Sequence, residues 1–235
     1  MKQSILKISL LVLIVLVSLL LWRPTRLINK ISSLSKTEAI YSFSTNQKLV
    51  ALTIDDGPHP TITPLILDLL EEKQVKATFF LVGNNIAKHQ DIAARIVNEG
   101  HEIGNHMYHH NLSIFLEDDE FNQQFSDTHE LITDLQSESR WLRPGGGLYD
   151  QELIDFADRS GYRIAVGNVY PYDATIPEQF SGSAFIENFV TRNVEPGAII
   201  ILHDGRIRTV DVLEKILTQL IDEGYEFTTL SKMGA

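Results

Sequence analysis

The chain has 235 residues, of which 43% are hydrophobic and 22% charged, and this balance excludes a disordered or collagen-like protein. It contains no cysteine, so disulfides, iron–sulfur clusters and thiol nucleophiles are excluded. The formal net charge is −11; all 31 acidic residues lie at or after Glu38, whereas six of the 20 basic residues precede it. A folded part this acidic is unsuited to binding the anionic backbone of nucleic acid.

An uncharged apolar run lies near the start of the chain, from Ile8 to Trp22. It is short for a membrane-spanning helix of about 20 residues and long for the core of a signal peptide. No small-residue cleavage site follows it, and basic residues flank both ends, which favours an uncleaved anchor over a buried helix. We therefore predict an anchor or uncleaved signal at 1–22, a basic and then Ser/Thr-rich linker at 23–46, and a globular domain at 47–235.

Beyond the linker, short apolar runs alternate with segments of helical period. Strands are predicted at 49–54, 77–82, 101–103, 141–142, 162–166, 198–202 and 225–228, and helices at 63–73, 86–99, 118–135, 150–159 and 209–223. Such alternation indicates βαβ units and a parallel sheet. About seven units predict an α/β fold with a distorted or incomplete (β/α) barrel, in which functional residues follow the strands at their carboxyl ends.

Polar residues follow the first and third predicted strands. Asp55 and Asp56 come directly after the first strand, and His106 and His110 come after the third. Imidazoles four residues apart share one face of a helical turn, and with Asp56 they would form a metal site of two histidines and one carboxylate. Such sites occur in zinc hydrolases and in non-haem iron oxygenases. His109 is a competing ligand; alternatively, the acids belong to a turn and the histidines to the surface.

Further candidates follow two later strands. Arg143 precedes three glycines at 145–147, and His203 ends the apolar strand at 198–202. A buried Arg143 would orient a carboxylate through paired hydrogen bonds, and the glycines would let backbone amides approach a ligand. A histidine held in a low-dielectric pocket suits a proton donor. A solvated loop arginine and a capping histidine are the structural alternatives.

Taken together, these residues resemble the polysaccharide deacetylase family, also called the NodB-homology domain or carbohydrate esterase family 4. The resemblance covers roughly residues 47–232 and rests on four segments: TIDDGP at 53–58, HMYHH at 106–110, RPGGG at 143–147 and ILHD at 201–204. Three features depart from the family pattern. Met107 replaces a serine or threonine, Gly146 replaces a tyrosine, and the fourth motif is reduced to Asp173 without a following tryptophan.

The resemblance implies hydrolysis of an N-acetyl group on a hexosamine, which releases acetate and a free amine. It implies a divalent ion, most often zinc, with cobalt, nickel or manganese as alternatives, bound by Asp56, His106 and His110. The other implied roles fall on seven residues: Asp55 as general base, Arg143 as the residue that orients it, His203 as general acid, Asp173 as the partner of His203, Gly146 as an oxyanion donor, and Ile201 and Leu202 as the apolar contact for the acetyl methyl.

The expected substrate is an N-acetylated glycan such as peptidoglycan or a chitin-like oligosaccharide. We accordingly expect the catalytic domain outside the cytoplasm, at the cell surface or in the periplasm, held to the membrane by the N-terminal helix. Two alternatives remain. A deacetylase-like glycan-binding module without turnover would fit the altered motifs. An iron oxygenase would use the same metal ligands but would have no use for the Asp55–Arg143 and His203–Asp173 pairs.

Overall fold

Residues 39–175 and 182–234 are described by the computed structural model of the protein. The predicted anchor at 1–22 and most of the predicted linker therefore lie outside the described residues. Among the described helices, none is long and apolar enough to cross a membrane.

Seven parallel strands form one sheet: β1 (Leu49–Asp55), β2 (Thr78–Leu81), β3 (Glu102–Asn105), β4 (Trp141–Leu142), β5 (Arg163–Ile164), β6 (Ile199–His203) and β7 (Glu226–Thr228). Their order is β5-β4-β3-β2-β1-β6, with β7 also paired to β1. One edge of β1 pairs with β6, and the other pairs first with β7 at Leu49–Ala51 and then with β2 at Thr53–Asp55. The predicted α/β fold with an incomplete barrel is confirmed.

Eight α-helices lie among the described residues: α1 (Ile62–Glu72), α2 (Gly83–Lys88), α3 (Gln90–Asn98), α4 (Asp118–Asp134), α5 (Gln151–Arg159), α6 (Ser183–Asn193), α7 (Ile207–Asp222) and α8 (Leu230–Met233). The single helix predicted at 86–99 is wrong, because His89 breaks it with φ −137° and ψ 53°. Helix α6 was not predicted. Its hydrophobic stripe is short, with Ile186, Phe189 and Val190 buried in an otherwise mixed sequence.

The side chains of β1 and β6 point alternately into an outer core and into the interior of the barrel. Val50, Leu52 and Ile54 pack in the cluster that also holds the buried faces of α1 and α7. Ala51 faces the opposite way, into a cluster with Phe80 and Trp141. Because successive side chains of a strand point to opposite faces, the odd-numbered residues at the end of β1 and β6 point into the barrel. The site is built on this interior face.

The segment before β1 closes the gap between β5 and β6. The backbone N–H of Ile40 donates to the carbonyl of Ile164 (2.8 Å), and that of Phe43 donates to the carbonyl of Gly197 (2.9 Å). These residues were predicted to belong to the linker at 23–46, yet they pair with the sheet. The pairing consists of isolated bridges, which impose no alternating pattern on the sequence.

Candidate active site

The carboxyl ends of β1, β4 and β6 and the loop after β3 surround a cavity of about 500 Å³. This volume lies within the range of small-molecule sites. Eight of the predicted site residues line it: Asp55, Asp56, His106, His110, Arg143, Gly146, Ile201 and His203. The strand order brings them together, since residues distant in sequence share one edge of a parallel sheet.

Two predicted residues do not line the cavity. Asp173 lies behind His203 and contacts it directly. Leu202 was expected beside Ile201 in the acetyl contact, but it is fully buried in the outer core. Adjacent strand residues face opposite sides of the sheet, so Ile201 and Leu202 cannot both face the cavity.

Asp56, His106 and His110 form a cluster whose ligand atoms all lie within 4.8 Å of one another. Asp56 Oδ1 is 3.4 Å from His106 Nε2 and 3.2 Å from His110 Nε2. His106 Nδ1 lies 2.7 Å from the carbonyl of Arg143, so Nδ1 carries the hydrogen and Nε2 has its lone pair directed at Asp56. Asp56 Oδ1 is buried and has no hydrogen-bond partner among the described residues. A divalent cation fits this donor set and would supply the missing partner.

The electrostatics of the cluster are dominated by the two imidazoles. Burial favours the neutral form of Asp56, but the contact with His106 and the charges of His106 and His110 outweigh it and hold the pKa of Asp56 below its usual range. Burial likewise opposes charge on His106, and the nearby carboxylates overcome it and raise the pKa of that imidazole. The lowered pKa of Asp56 favours its ionised carboxylate, which is the form that binds a cation.

The two histidines converge without the helical turn that was predicted for them. Residues 106–110 form an irregular loop in which Met107 has φ +64°, and the Met107 N–H donates to Asn105 Oδ1 (2.8 Å). The left-handed residue, rather than helical periodicity, turns His110 back toward Asp56. His109 is not part of the cluster; its ring packs edge-on against Tyr108.

Asp55 is buried at the end of β1 and is held by Arg143. Arg143 Nη1 donates to Asp55 Oδ1 (2.6 Å) and to Thr53 Oγ1 (2.8 Å), and its Nε donates to the carbonyl of Ala165 (2.8 Å). The guanidinium also lies 4.1 Å from the ring centroid of Phe80. Paired hydrogen bonds to Asp55 were predicted, and the structure has a single one: Nε and Nη1 make these three contacts, and the buried Nη2 has no hydrogen-bond partner among the described residues.

His203 is paired with Asp173 through both carboxylate oxygens. His203 Nδ1 donates to Asp173 Oδ1 (2.8 Å), and the backbone N–H of His203 donates to Oδ2 (2.8 Å). Burial alone lowers the pKa of His203; the hydrogen bond and charge of Asp173, with the charges of Asp55 and Asp56, outweigh burial and raise it. The raised pKa favours the protonated imidazole, which suits a general acid.

Two tyrosines that were not predicted as site residues also line the cavity. Tyr170 packs edge-on against His203, with 5.6 Å between ring centroids. It lies just before Asp173, within the segment that corresponds to the fourth family motif. The position of that motif could therefore have pointed to Tyr170 as a site residue. Tyr41 comes from the segment that closes the barrel, and its hydroxyl lies 2.5 Å from that of Tyr149. No sequence signal marks Tyr41, because its segment shows no regular pattern.

A carboxylate and an imidazole with separate partners, next to a cluster suited to a divalent cation, define the class of the protein as a metal-dependent hydrolase. An oxygenase has no use for the Asp55–Arg143 and His203–Asp173 pairs. The chain belongs to the polysaccharide deacetylase family, whose sequence model matches residues 43–165. The predicted family and its deacetylating, hydrolytic activity are thereby confirmed.

Relatives of known activity and structure agree with membership of this family. A peptidoglycan-N-acetylglucosamine deacetylase of Bacillus cereus is 35% identical over 193 residues, covering 80% of this chain and 89% of the relative. The crystal structure of a peptidoglycan N-acetylglucosamine deacetylase bound to a substituted benzamide superposes with a TM-score of 0.78 at 36% identity, covering 84% of this chain and 93% of the other. A family pseudoenzyme from Bacillus anthracis superposes with a TM-score of 0.76 at 29% identity, covering 83% and 68%.

Proposed function

We propose that the protein removes the N-acetyl group from N-acetylglucosamine residues of peptidoglycan. The observation that carries the proposal is the convergence of both proton-transfer pairs and the Asp56–His106–His110 cluster on one cavity of about 500 Å³. The activity of the relatives supports the choice of peptidoglycan over other N-acetylated glycans.

We propose further that Asp56, His106 and His110 hold the divalent cation, with zinc as the preferred ion. Two nitrogen ligands and one oxygen ligand with open positions are typical of catalytic zinc sites. A bound ion supplies Lewis acidity, which lowers the pKa of water and polarises the acetamide oxygen. The unsatisfied Asp56 Oδ1 and the tautomer of His106 are the observations that support this assignment.

The remaining residues divide the proton transfers between two sides of the scissile amide bond. Asp55, oriented by Arg143, accepts a proton from the attacking water. His203, held protonated by Asp173, donates a proton to the amine nitrogen as the C–N bond breaks. One water is consumed, and acetate and the amine are released. The backbone N–H of Gly146 is the proposed oxyanion donor, and Ile201 is the apolar contact for the acetyl methyl.

A glycan-binding module without turnover is less well supported by the site. The altered second motif leaves the ligand loop intact, because Met107 is buried in the core instead of presenting a hydroxyl. The fourth motif lacks its tryptophan, but an aromatic ring still contacts His203, because the Tyr170 ring packs edge-on against it. The proposed base, acid and metal ligands are all present in the cavity.

The test is acetate release from purified peptidoglycan glycan chains, with the bound metal quantified in the same protein. We expect His106→Ala to lose both metal and activity, and the matched variant His109→Ala to keep both. Stoichiometric metal in the His106→Ala protein would refute the ligand assignment. No acetate release from glycan chains by the metal-loaded parent protein would refute the proposed reaction and favour the binding module.

We also propose that residues 8–22 anchor the protein in the membrane and that the domain beginning near residue 47 acts outside the cytoplasm. The uncharged run, the absence of a cleavage site after it and the peptidoglycan activity of the relatives support this. Membrane fractionation and N-terminal sequencing test it. A mature chain that begins near residue 30 would contradict the anchor, and a domain protected from protease in intact cells would contradict the orientation.

A further inference from the structure

Asp55 and Asp56 are adjacent in sequence, yet both line the catalytic cavity. Successive side chains of an extended strand point to opposite faces, so a continued β1 would turn the Asp56 carboxylate toward the outer core. Asp56 instead has φ +73°, a left-handed conformation in which the Cβ of a non-glycine residue is crowded. Its Oδ1 thereby lies beside His106 and His110. The proposed metal site therefore depends on a strained residue that its surroundings must hold in place.

Hydrogen bonds hold the backbone at Asp56 and on each side of it. The carbonyl before Asp56 accepts from the backbone N–H of Asp204 (2.9 Å), and the carbonyl after it accepts from the backbone N–H of Val82 (3.0 Å). The Asp56 carbonyl itself accepts from Asn85 Nδ2 (2.8 Å). Two of these three donors belong to the backbone, so Asn85 supplies the one that a side-chain substitution removes.

Asn85 lies in the first turn of α2, and the same turn contacts the loop that carries the two histidines. The Gly83 N–H donates to the carbonyl of Met107, the left-handed residue of that loop (2.9 Å). A Cβ added at Gly83 would lie 3.2 Å from the Cα of Tyr108, so the helix and the loop are in close contact. One helical turn thus contacts Asp56 through a side chain and the histidine loop through its backbone.

We propose that Asn85 is a positioning residue that holds Asp56 in the left-handed conformation needed for metal binding. The inference rests on the ligand set of the proposed function. Without the Asn85 amide, Asp56 of the metal-free protein relaxes toward ordinary backbone conformations, and the metal binds only the fraction of molecules that remains competent. The apparent Kd for the metal then rises by the inverse of that fraction.

The expected size of the effect follows from other groups that orient metal ligands, whose loss typically lowers metal affinity by about 10- to 100-fold. Asn85 bonds the carbonyl of Asp56 rather than its carboxylate, so we expect the lower end of this range, about tenfold. A tenfold rise in Kd means that about one molecule in ten of the variant holds Asp56 in the competent conformation.

The test is a competition titration in which a chromophoric chelator withdraws Zn²⁺ from the metal-loaded full chain. We expect Asn85→Ala to raise the Kd for Zn²⁺ by about tenfold. Asn85 and Asp56 also line a second cavity of about 340 Å³, from which water would reach the Asp56 carbonyl in this variant. Asn85→Leu fills the space of the amide without supplying a donor, so its Kd should rise at least as much. Alanine and leucine are both favoured in helices, so neither variant weakens α2.

The matched control is Asn84→Ala, at the preceding position of α2. The Asn84 side chain makes no hydrogen bond within residues 39–175 and 182–234, and its backbone N–H, which donates to the Tyr108 carbonyl (3.0 Å), is kept in the variant. We expect its Kd for Zn²⁺ to equal that of the parent protein. An equal rise in Kd for Asn84→Ala and Asn85→Ala would show a general loosening of α2 and would overturn the inference.

The Kd for Zn²⁺ also separates positioning from a loss of stability. A variant that is less stable but still folded binds Zn²⁺ with the parental Kd, because nearly all of its molecules remain competent. Saturating Zn²⁺ should restore acetate release by Asn85→Ala, since excess metal draws the whole population into the conformation that binds it. A raised Kd without this recovery would show that Asn85 acts on more than the position of Asp56, and would overturn the inference.

Failure of the inference and failure of the proposed function give different results. A parent protein that binds Zn²⁺ with an Asn85-dependent Kd but releases no acetate supports the positioning role, and only the proposed reaction fails. A parent protein that releases acetate while both Asn85 variants keep the parental Kd overturns the positioning role, and the reaction stands.

Discussion

Asp173→Asn removes the negative charge beside His203 while keeping the size of the side chain. Asp173 accepts two hydrogen bonds from His203, one from Nδ1 and one from the backbone N–H, each of 2.8 Å. Asparagine has a single acceptor oxygen, so in either orientation one of these donors faces an amide NH₂. The variant therefore loses one of the two hydrogen bonds and, in either orientation, the charge that favours the imidazolium.

The expected shift follows from the energy of the lost interaction. A hydrogen bond to a charged group contributes about 1.5–3 kcal/mol, and one pKa unit corresponds to about 1.4 kcal/mol. Burial opposes charge on His203, and Asp173 is the main group that raises the pKa of His203 against it. We therefore expect this pKa to fall by about 1 to 2 units in Asp173→Asn. Because His203 must be protonated to act, the alkaline limb of the kcat/KM profile moves to lower pH by the same amount.

The assay is acetate release across the pH range at subsaturating substrate, compared with the parent protein. Asp211→Asn, which removes an exposed carboxylate from α7, is the charge control and should leave both limbs in place. The acidic limb should not move in Asp173→Asn. If the alkaline limb also stays where it was, Asp173 does not set the protonation of His203, and our reasoning about the fourth motif is wrong.

Three further variants test other parts of the site. Asp55→Asn should keep the metal, because the proposed ligands are untouched, and lose about 10²- to 10⁴-fold in turnover; unchanged turnover would exclude Asp55 as the base. Arg143→Ala should lower the free energy of unfolding by about 3–5 kcal/mol, measured in urea, because it leaves buried Asp55 without its partner. Gly145→Ala should cost about 1–3 kcal/mol in the same assay, because its Cβ would lie 1.9 Å from the Asn111 carbonyl oxygen. Gly182→Ala has open space around it and should cost less, about 0.5 kcal/mol, the preference for glycine over alanine at the N-cap of α6.

Much of the fold is encoded locally and was predicted from the sequence. The strands β1 and β6 are continuous apolar runs because both of their faces are buried, and α1 and α7 carry a clear hydrophobic stripe. Helix α6 and the break at His89 were missed, because weak local preferences there are overridden by packing. The barrel closure at 40–43 was missed because two single bridges leave no period in the sequence.

The candidate site likewise has a part that local sequence predicts and a part that depends on packing. The chemical groups at the ends of the strands could be predicted from the sequence, because the end of a strand in a parallel sheet is set by a short local pattern that polar residues interrupt. The pairing of those groups became visible in the folded chain, in which Arg143 shares one guanidinium among Asp55, Thr53 and Ala165, and a left-handed Met107 brings His110 to Asp56. These contacts join residues up to 90 positions apart, so their geometry depends on strand order and register, which no local pattern contains.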